Sequence, residues 1–390
     1  MVSKPIKVGV LHSLTGTMAI SESSLVDATL LAIDEINGKG GVLGRRIQPI
    51  VVDGRSNWPV FANEARRLIG QEGVCSVFGG WTSASRKIMK PIFEELNNLL
   101  WYPVQYEGLE QSPNIVYLGA APNQQVLPAV QWAIRNLGRR IFLIGSDYVF
   151  PRSANEIVRD EIENLSGEIV GEQYKVLGVQ DFKSVVEEIK RTKPDFIFNT
   201  INGDSNISFF KQLRKDGITS DKVPTVSMSV AEDEVRHINP ILTSGDYAVW
   251  NYFQSLDNRT NKLFVKNFKS RYGPHRVTSD PIEKAYSAVF FFARAVEKAG
   301  DIDVSSIRNS LKGIRFSLPA GSTTIDSSTQ HLNQSVRVGR ARADGQFDII
   351  WDSKNPIKPE PYPKSRSREE WHAFLNSLYR QWGGRWANQC

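Results

Sequence analysis

Short apolar runs alternate with longer amphipathic stretches along the first part of the chain. Residues 6–11 form an apolar run typical of a buried strand, and residues 25–36 carry apolar side chains at helical spacing. Glycines within 38–41 end this predicted helix, and residues 47–52 predict the next strand. The alternation continues to about residue 102, which predicts parallel strands joined by right-handed crossovers.

A second series of alternating elements begins after Pro122. Predicted strands at 141–145, 168–174, 196–199 and 225–228 are separated by segments of helical length. The chain of 390 residues is also longer than one hydrophobic core usually organises. We therefore predict an α/β fold class with two doubly wound parallel-sheet lobes.

The alternation stops after about Tyr252. Helices predicted at 261–272, 280–299 and 304–312 have no strands between them, so we expect them to cover an existing lobe. From 322 to 351 the pattern predicts strands again, around a turn at Asp344 and Gly345. Several crossings between lobes predict a hinge of several strands. The predicted segments are 5–121 and 253–330 for lobe 1, 122–252 and 331–362 for lobe 2, and 363–390 for a C-terminal tail.

The predicted tail combines a proline-rich stretch with an amphipathic helix. Residues 356–363 are proline-rich, and Ser367 with Glu370 has the spacing of a capping box. The helix that follows carries one apolar stripe, formed by Trp371, Phe374, Leu375, Leu378, Tyr379 and Trp382. We favour packing of this stripe on the body of the protein, and the alternative is an interface that leads to a following segment.

Composition and charge are those of an ordinary globular protein. Hydrophobic residues make up 41% and charged residues 23%, so disorder is not expected to dominate. The net charge of +6 raises the question of a nucleic-acid partner. Basic residues are interleaved with acidic ones along helices, as in 187–191, which is typical of a solvated surface. We predict no nucleic-acid partner.

Sequence motifs for catalysis and for metal binding are lacking. Two cysteines, Cys75 and Cys390, exclude a disulfide framework and a cysteine metal site, and the five histidines have no metal-ligand spacing. The glycine-rich stretch 38–44 follows a helix and precedes a strand, the reverse of a nucleotide loop. No Gly-x-Ser-x-Gly elbow occurs, and Ser83 is interpreted as a helix N-cap that also touches ligand. We predict no enzyme activity, no cofactor and no metal.

The sequence contains no hydrophobic stretch long enough for a membrane span. A membrane helix needs roughly 18 or more apolar residues. The residues at the start of the chain contain no apolar signal segment. We expect a periplasmic or otherwise extracytoplasmic location, with any leader or anchor outside this sequence, and a cytoplasmic location is the alternative.

The segments that follow the predicted strands carry the candidate binding chemistry, because open α/β sheets bind ligands at the carboxyl ends of their strands. These segments are 12–17, 79–85, 101–108, 146–151, 200–205 and 229–232. They combine aromatic, hydroxyl and amide side chains with a few acids and almost no lysine or arginine. Such a lining predicts a small, neutral, hydrogen-bonding ligand, whereas a phosphate or carboxylate would require cationic groups.

In these segments the sequence resembles the branched-chain-amino-acid-type substrate-binding proteins, in the subgroup of urea and short-amide binders. The resemblance is carried by 11–21, 81–87, 101–108, 121–125, 145–152, 202–206, 231–232 and 278–281. It covers about residues 5–362 and implies a type I periplasmic-binding fold that captures ligand in an interlobe cleft by lobe closure. Trp81, Gln105 and 202–204 are more similar to the urea branch than to the amide sensor of amidase operons.

The resemblance also implies which residues contact ligand. The matching positions are Ser83, Tyr102, Gln105, Tyr106 and Tyr148, with Trp81, Asn202, Asp204 and Glu232 as further members. Carboxylates and amide oxygens would accept the N–H groups of urea, and hydroxyls would donate to its carbonyl oxygen. The sequence does not rank urea against acetamide, formamide or an amino acid.

The resemblance implies two possible partners for the ligand-bound protein. One is the permease of an ABC-type uptake system, for which this chain would be the substrate-binding component. The other is the signalling module of a membrane receptor, a histidine kinase or a cyclase, because the tail helix departs from the transport branch. The oligomeric state is left open.

Overall fold

The computed structural model describes residues 4–388, which divide into two compact units. Unit 1 comprises residues 4–106, 110–120 and 257–334. Unit 2 comprises residues 107–109, 121–256 and 335–388. Each unit has its own sheet with a run of parallel strands, and helices connect those strands. The predicted α/β fold class is confirmed.

Unit 1 is built on a five-stranded parallel sheet with the order β2-β1-β3-β4-β5. A second, antiparallel sheet has the order β11-β12-β13. The strands of unit 1 are β1 (Ile6–His12), β2 (Ile47–Asp53), β3 (Val77–Gly79), β4 (Leu100–Tyr102), β5 (Ile115–Tyr117), β11 (Arg315–Leu318), β12 (Gly321–Ile325) and β13 (Leu332–Asn333). Its helices are α1 (Ala19–Gly38), α2 (Trp58–Gly70), α3 (Ser83–Glu95), α10 (Arg259–Tyr272), α11 (Asp280–Ala299) and α12 (Val304–Leu311).

The three consecutive helices predicted late in the chain cover unit 1, as expected. α11 packs against α1, and most of its side chains are buried. Phe292 of α11 contacts the rings of Phe78 and Trp101 edge-on, with centroid distances of 5.6 and 6.0 Å. These contacts fix α11 on the strands β3 and β4, at whose ends several predicted ligand contacts lie.

Unit 2 contains a seven-stranded sheet with the order β15-β14-β10-β9-β8-β6-β7. The strands from β10 to β7 are parallel, and the hairpin of β14 and β15 is antiparallel. The strands are β6 (Arg140–Ser146), β7 (Glu168–Lys175), β8 (Phe196–Thr200), β9 (Thr225–Ser227), β10 (Tyr247–Trp250), β14 (Arg337–Ala341) and β15 (Phe347–Asp352). The helices are a 3₁₀ turn (Pro122–Gln124), α4 (Val126–Asn136), α5 (Val149–Asn164), α6 (Lys183–Thr192), α7 (Ser205–Lys215), α8 (Glu232–Ile238), α9 (Pro240–Thr243) and α13 (Arg368–Gln381).

Packing explains the antiparallel hairpin at the edge of the unit 2 sheet. Position 339 in β14 requires glycine, because a Cβ there would lie 2.6 Å from the ring of Phe253. Phe253 in turn contacts Phe347 of β15 with a centroid distance of 5.0 Å. The hairpin turn predicted at Asp344 and Gly345 joins β14 to β15.

The boundaries of the units differ from the predicted lobe segments at four places. Residues 107–109 and residue 121, predicted in lobe 1, lie in unit 2. Residues 331–334, predicted in lobe 2, lie in unit 1 because Leu332 of β13 pairs with Ile325 of β12. Residues 253–256, predicted in lobe 1, lie in unit 2, where the backbone N–H of Gln254 donates to a carboxylate oxygen of Glu232.

The described part of the tail packs on unit 2 and is not a separate segment. The indole of Trp371 is fully buried, and its N–H donates to the carbonyl oxygen of Pro363 at 3.0 Å. Arg366 contacts the carboxylates of Glu156 and Asp160 on α5, each at 2.5 Å. Four side chains of the predicted apolar stripe are buried, namely Trp371, Leu375, Leu378 and Trp382, whereas Tyr379 is exposed. No helix within residues 4–388 is both long and apolar enough to cross a membrane.

Candidate functional site

The predicted ligand contacts of unit 1 lie at the carboxyl ends of two strands. These strands are parallel neighbours in the sheet, so their carboxyl ends lie at one edge. The strands β3 and β4 lead directly into the segments that contain Trp81, Ser83, Tyr102, Gln105 and Tyr106. All five side chains are buried.

A tight turn positions the segment after β3. A Cβ on Gly79 would lie 2.0 Å from the carbonyl oxygen of Leu11, and Gly80 has a positive φ of +80°. The turn therefore requires glycine at both positions. It brings the carbonyl oxygen of Trp81 to the hydroxyl of Tyr102, which donates a hydrogen bond to it.

The prediction that Ser83 is the N-cap of the following helix is wrong by one residue. Thr82 is the N-cap of α3, and its hydroxyl oxygen accepts the backbone N–H of Ser85 at 3.1 Å. The Thr82 hydroxyl oxygen also accepts the indole N–H of Trp58 at 3.0 Å. Ser83 is the first residue of α3.

A buried arginine that was not predicted as a site residue lies beside Ser83. Arg86 follows Ser83 by three residues, on the same face of α3, and is completely buried. Its Nη1 donates to the hydroxyl oxygen of Ser83 at 3.0 Å, and its Nε donates to Oε1 of Glu110 at 2.9 Å. The guanidinium also lies 4.8 Å from the ring centre of Tyr102 and 4.5 Å from that of Tyr106.

Glu110 is the shared carboxylate of this cluster. Its second oxygen accepts a hydrogen bond from Nζ of Lys87 at 2.8 Å, and Tyr117 donates its hydroxyl to the first at 3.2 Å. Burial alone would raise the pKa of the Glu110 carboxyl, but Arg86 and Lys87 hold that pKa well below its usual range. Glu110 is therefore ionised, and Arg86 and Lys87 share its carboxylate beside the predicted ligand contacts.

The ring of Tyr106 is held in a stack with Tyr117 and His331. Tyr106 and Tyr117 stack with a centroid distance of 5.0 Å, and Tyr117 and His331 with one of 4.2 Å. Nδ1 of His331 lies 2.7 Å from the carbonyl oxygen of Thr329, which only accepts, so Nδ1 carries the proton. Nε2 then accepts the hydroxyl proton of Tyr106 at 2.5 Å. Burial lowers the pKa of His331 to about 4, which keeps the imidazole neutral near pH 7.

The predicted contacts of unit 2 also follow three neighbouring parallel strands. β6 ends at Ser146, β8 at Thr200 and β9 at Ser227. The segments that follow contain Tyr148, Asn202, Asp204 and Glu232. Tyr148, Asn202 and Glu232 are buried, and Asp204 is half-buried.

An amide network shapes the turn after β8. Asn199 accepts the backbone N–H of Ile201 at 2.9 Å and donates its own amide to Asn206 at 3.0 Å and to Ser227 at 3.2 Å. The backbone N–H of Asn202 donates to the hydroxyl of Ser146 at 3.0 Å, which links the end of β8 to the end of β6. Asn199 was not predicted as a site residue.

The two predicted acidic contacts occupy helix starts. Asp204 is at the N-cap position of α7, and Glu232 is the first residue of α8. One oxygen of Glu232 accepts the backbone N–H of Gln254 at 2.7 Å. The structure thus places Trp81, Ser83, Tyr102, Gln105 and Tyr106 at strand ends of unit 1, and Tyr148, Asn202, Asp204 and Glu232 at strand ends of unit 2.

Comparisons with known proteins agree with this architecture. The family described as periplasmic binding protein domain matches residues 6–368. The Leu/Ile/Val-binding protein homolog 7 of Brucella melitensis is 23% identical over 384 residues, which cover 93% of this chain and 95% of that protein. A solute-binding protein of an R. palustris ABC transporter, solved in complex with 4-hydroxybenzoate, superposes with a TM-score of 0.82 at 22% identity. That superposition covers 91% of this chain and 98% of the other, and it shows a shared fold.

A shorter match carries less information. A protein named limonene hydroxylase from Geobacillus stearothermophilus is 40% identical over 118 residues. Those residues are 30% of this chain and only 22% of the length of that protein. Most of the hydroxylase has no counterpart in this alignment, so its activity is not transferred to this chain.

Proposed function

Because the chain belongs to the periplasmic binding protein domain family, a family of binding proteins rather than enzymes, we propose that it captures urea or a short amide. The family takes its name from the periplasm, which agrees with the extracytoplasmic location predicted from the sequence. The ligand would be held by the strand-end side chains of both units. The observation that supports a neutral ligand is the contact between Arg86 and Glu110, at 2.9 Å, beside Ser83 and Tyr106.

Whether the positive charge of Arg86 is already paired decides between a neutral ligand and a carboxylate. An arginine next to ligand contacts would favour a carboxylate, such as the 4-hydroxybenzoate bound by the R. palustris protein. In this chain the guanidinium is paired with the ionised Glu110, a carboxylate that it shares with Lys87. Acceptors for amide N–H groups would come from Asp204, Glu232 and the Gln105 carbonyl.

The size of urea sets the affinity to expect. Urea has four heavy atoms, and a ceiling of about 1.5 kcal/mol per atom gives about 6 kcal/mol, or a dissociation constant of some tens of micromolar. Isothermal titration calorimetry with urea, acetamide, formamide, L-leucine and 4-hydroxybenzoate tests the ligand class. We expect binding of one or more of the three amides. Binding of L-leucine or 4-hydroxybenzoate alone would overturn the neutral-ligand assignment.

Asp204 tests the assignment of the polar contacts. We expect Asp204→Ala to weaken amide binding by about tenfold or more, because a charge-assisted hydrogen bond is lost. Asp221→Ala is the matched control, since Asp221 is an exposed aspartate of the same unit. Equal affinity of the Asp204→Ala variant and the unchanged protein would remove Asp204 from the site.

Lobe closure is the proposed output of binding. A ligand that contacts residues of both units stabilises only a closed form, whose shape a partner can recognise. We propose the permease of an ABC-type uptake system as that partner, which the R. palustris protein supports because it is a solute-binding protein of an ABC transporter. Small-angle X-ray scattering should show a smaller radius of gyration when the bound amide is added, and an unchanged radius would contradict closure.

A membrane signalling receptor is the second candidate. The observation that favours it is the tail helix α13, which begins where the matched family segment ends at residue 368. The coding sequence downstream of Cys390 distinguishes the two roles. A stop codon supports uptake, and an apolar span followed by a kinase or cyclase module supports sensing.

A further inference from the structure

The C-terminal segment 386–388 lies against the end of β6 within unit 2. The carbonyl oxygen of Trp386 accepts the backbone N–H of Val149 at 3.0 Å. The backbone N–H of Asn388 donates to the carbonyl oxygen of Asp147 at 3.0 Å. These two bonds flank an antiparallel bridge between Tyr148 and Ala387. We name residues 386–388 the strap.

The strap provides a hydrogen-bond acceptor for the first backbone N–H of α5. The first backbone N–H groups of a helix have no partner within the helix and are usually capped by the side chain at the N-cap. Tyr148 occupies the N-cap of α5 in an extended conformation and makes no capping bond with its side chain. Val149 is the first residue of α5, so the carbonyl oxygen of Trp386 accepts one of the N–H groups that have no acceptor within the helix.

Side chains reinforce the backbone pairing. The Asn388 amide donates to Oδ2 of Asp147 at 2.8 Å, and Nε of Arg152 donates to Oδ1 of the same carboxylate at 2.8 Å. The guanidinium of Arg152 lies 3.7 Å from the ring centre of Tyr174. Asp147, which directly precedes Tyr148, is thus held by the strap on one side and by α5 on the other.

The chain before the strap, which includes α13, also contacts α5. Arg366, just before α13, contacts Glu156 and Asp160 of α5. Gly383 and Gly384 both have positive φ values, of +62° and +81°, and let the chain turn after α13. The ring of Trp386 then packs on Tyr379 of α13 with a centroid distance of 4.6 Å.

We propose that the strap is a positioning element for the ligand contact Tyr148, and that Asn388 is its key positioning residue. This inference rests on the proposed function, because Tyr148 contacts ligand only there. The strap lies outside residues 6–368, which the family match covers. Loosening the strap would free the backbone on both sides of Tyr148 and weaken binding.

Asn388→Pro removes the backbone N–H of residue 388 and its side-chain amide together, in the full chain. Asn388→Ser keeps the backbone donor and a short polar side chain, so it serves as the conservative rescue. Asn376→Ser, at an exposed position of α13, is the matched control. Hydrogen–deuterium exchange in the ligand-free protein reports on the Val149 amide, and calorimetry with urea, acetamide and L-leucine reports on binding.

In Asn388→Pro we expect the Val149 amide to exchange about tenfold faster and the probe that binds the unchanged protein to bind about fivefold more weakly. Asn376→Ser should match the unchanged protein in both measurements, and Asn388→Ser, which keeps the backbone bond but loses the amide, should lie between the unchanged protein and Asn388→Pro. Unchanged exchange at Val149, or faster exchange with unchanged affinity, would overturn the inference. If no probe binds the unchanged protein, the proposed ligand class fails on its own, and exchange at Val149 still decides whether the strap holds the start of α5.

Discussion

Protonation of His331 should destabilise unit 1. In the folded protein the neutral imidazole accepts the Tyr106 hydroxyl at Nε2 and donates from Nδ1 to Thr329. A protonated imidazolium has no acceptor nitrogen, so acid would break the hydrogen bond from Tyr106. The charge would also be created at a completely buried position.

The pKa of His331 sets the size and the pH window of this effect. Burial lowers the pKa from 6.5 to about 4 in the folded protein. When the pH falls below 6.5, the unfolded chain binds a proton that the folded chain does not bind until about pH 4. The free energy of unfolding is therefore unaffected by His331 above that window and falls by about 3 kcal/mol across it.

Unfolding in guanidinium chloride at pH 7 and at pH 4 measures this effect, and urea is avoided as denaturant because it is the proposed ligand. His331→Phe keeps an aromatic ring in the stack and removes the titrating group. We expect this variant to be less stable than the unchanged protein at pH 7, because the Tyr106 hydroxyl loses its acceptor. The stability difference should shrink by about 3 kcal/mol at pH 4.

The same comparison has a control and a refuting outcome. His275 is exposed, so His275→Asn should show the same stability difference from the unchanged protein at both pH values. Other groups titrate equally in the His331 variant and in the unchanged protein, and their contributions cancel. A stability difference for His331→Phe that stays constant from pH 7 to pH 4 would refute the neutral, buried state of His331.

Two further substitutions test the packing around the site. Glu110→Gln should lower the free energy of unfolding by about 3 kcal/mol or more, because it removes a buried carboxylate that Arg86 and Lys87 both contact. Chemical denaturation measures the change, and Glu95→Gln, at a half-exposed ion pair, should have little effect. Trp371→Ala should cost about 3 to 5 kcal/mol because it empties a fully buried position, and a loss below about 1 kcal/mol would contradict the packing of α13 on unit 2.

Long periodic segments of the fold were predictable, and short or polar ones were not. The four-residue strand β10 was missed, although the three-residue β9 was predicted, because so short a run carries little periodicity and is not reliably recognised. Helix α1 begins at Ala19, six residues before the predicted start at 25. Its first turns contain buried polar residues such as Glu22, whose carboxylate accepts the backbone N–H of Ser13 at 2.8 Å. Because these buried positions are polar, the hydrophobic pattern does not reveal where the helix begins.

The candidate site was predictable only in part, for a related reason. The residues that follow strands can be named from the sequence, because parallel strands place their carboxyl ends at one edge. The groups that hold those residues lie far away in sequence. Glu110 is 24 residues from Arg86, and His331 is 225 residues from Tyr106. A single sequence contains no signal that joins such pairs, so neither partner was identified.

In the proposed site, the groups around the strand-end residues would influence which ligands bind. Arg86 alone would make the start of α3 a place for an anion, and sequence spacing shows only that it shares a face with Ser83. Glu110 reduces this preference, since its ionised carboxylate accepts hydrogen bonds from Arg86 at 2.9 Å and from Lys87 at 2.8 Å. Under the proposed function, the charge preference of the site would thus depend on a residue that is not predicted to touch ligand. In unit 2 a distant residue likewise supports a predicted contact: Asn388 donates to the carboxylate of Asp147, which directly precedes Tyr148.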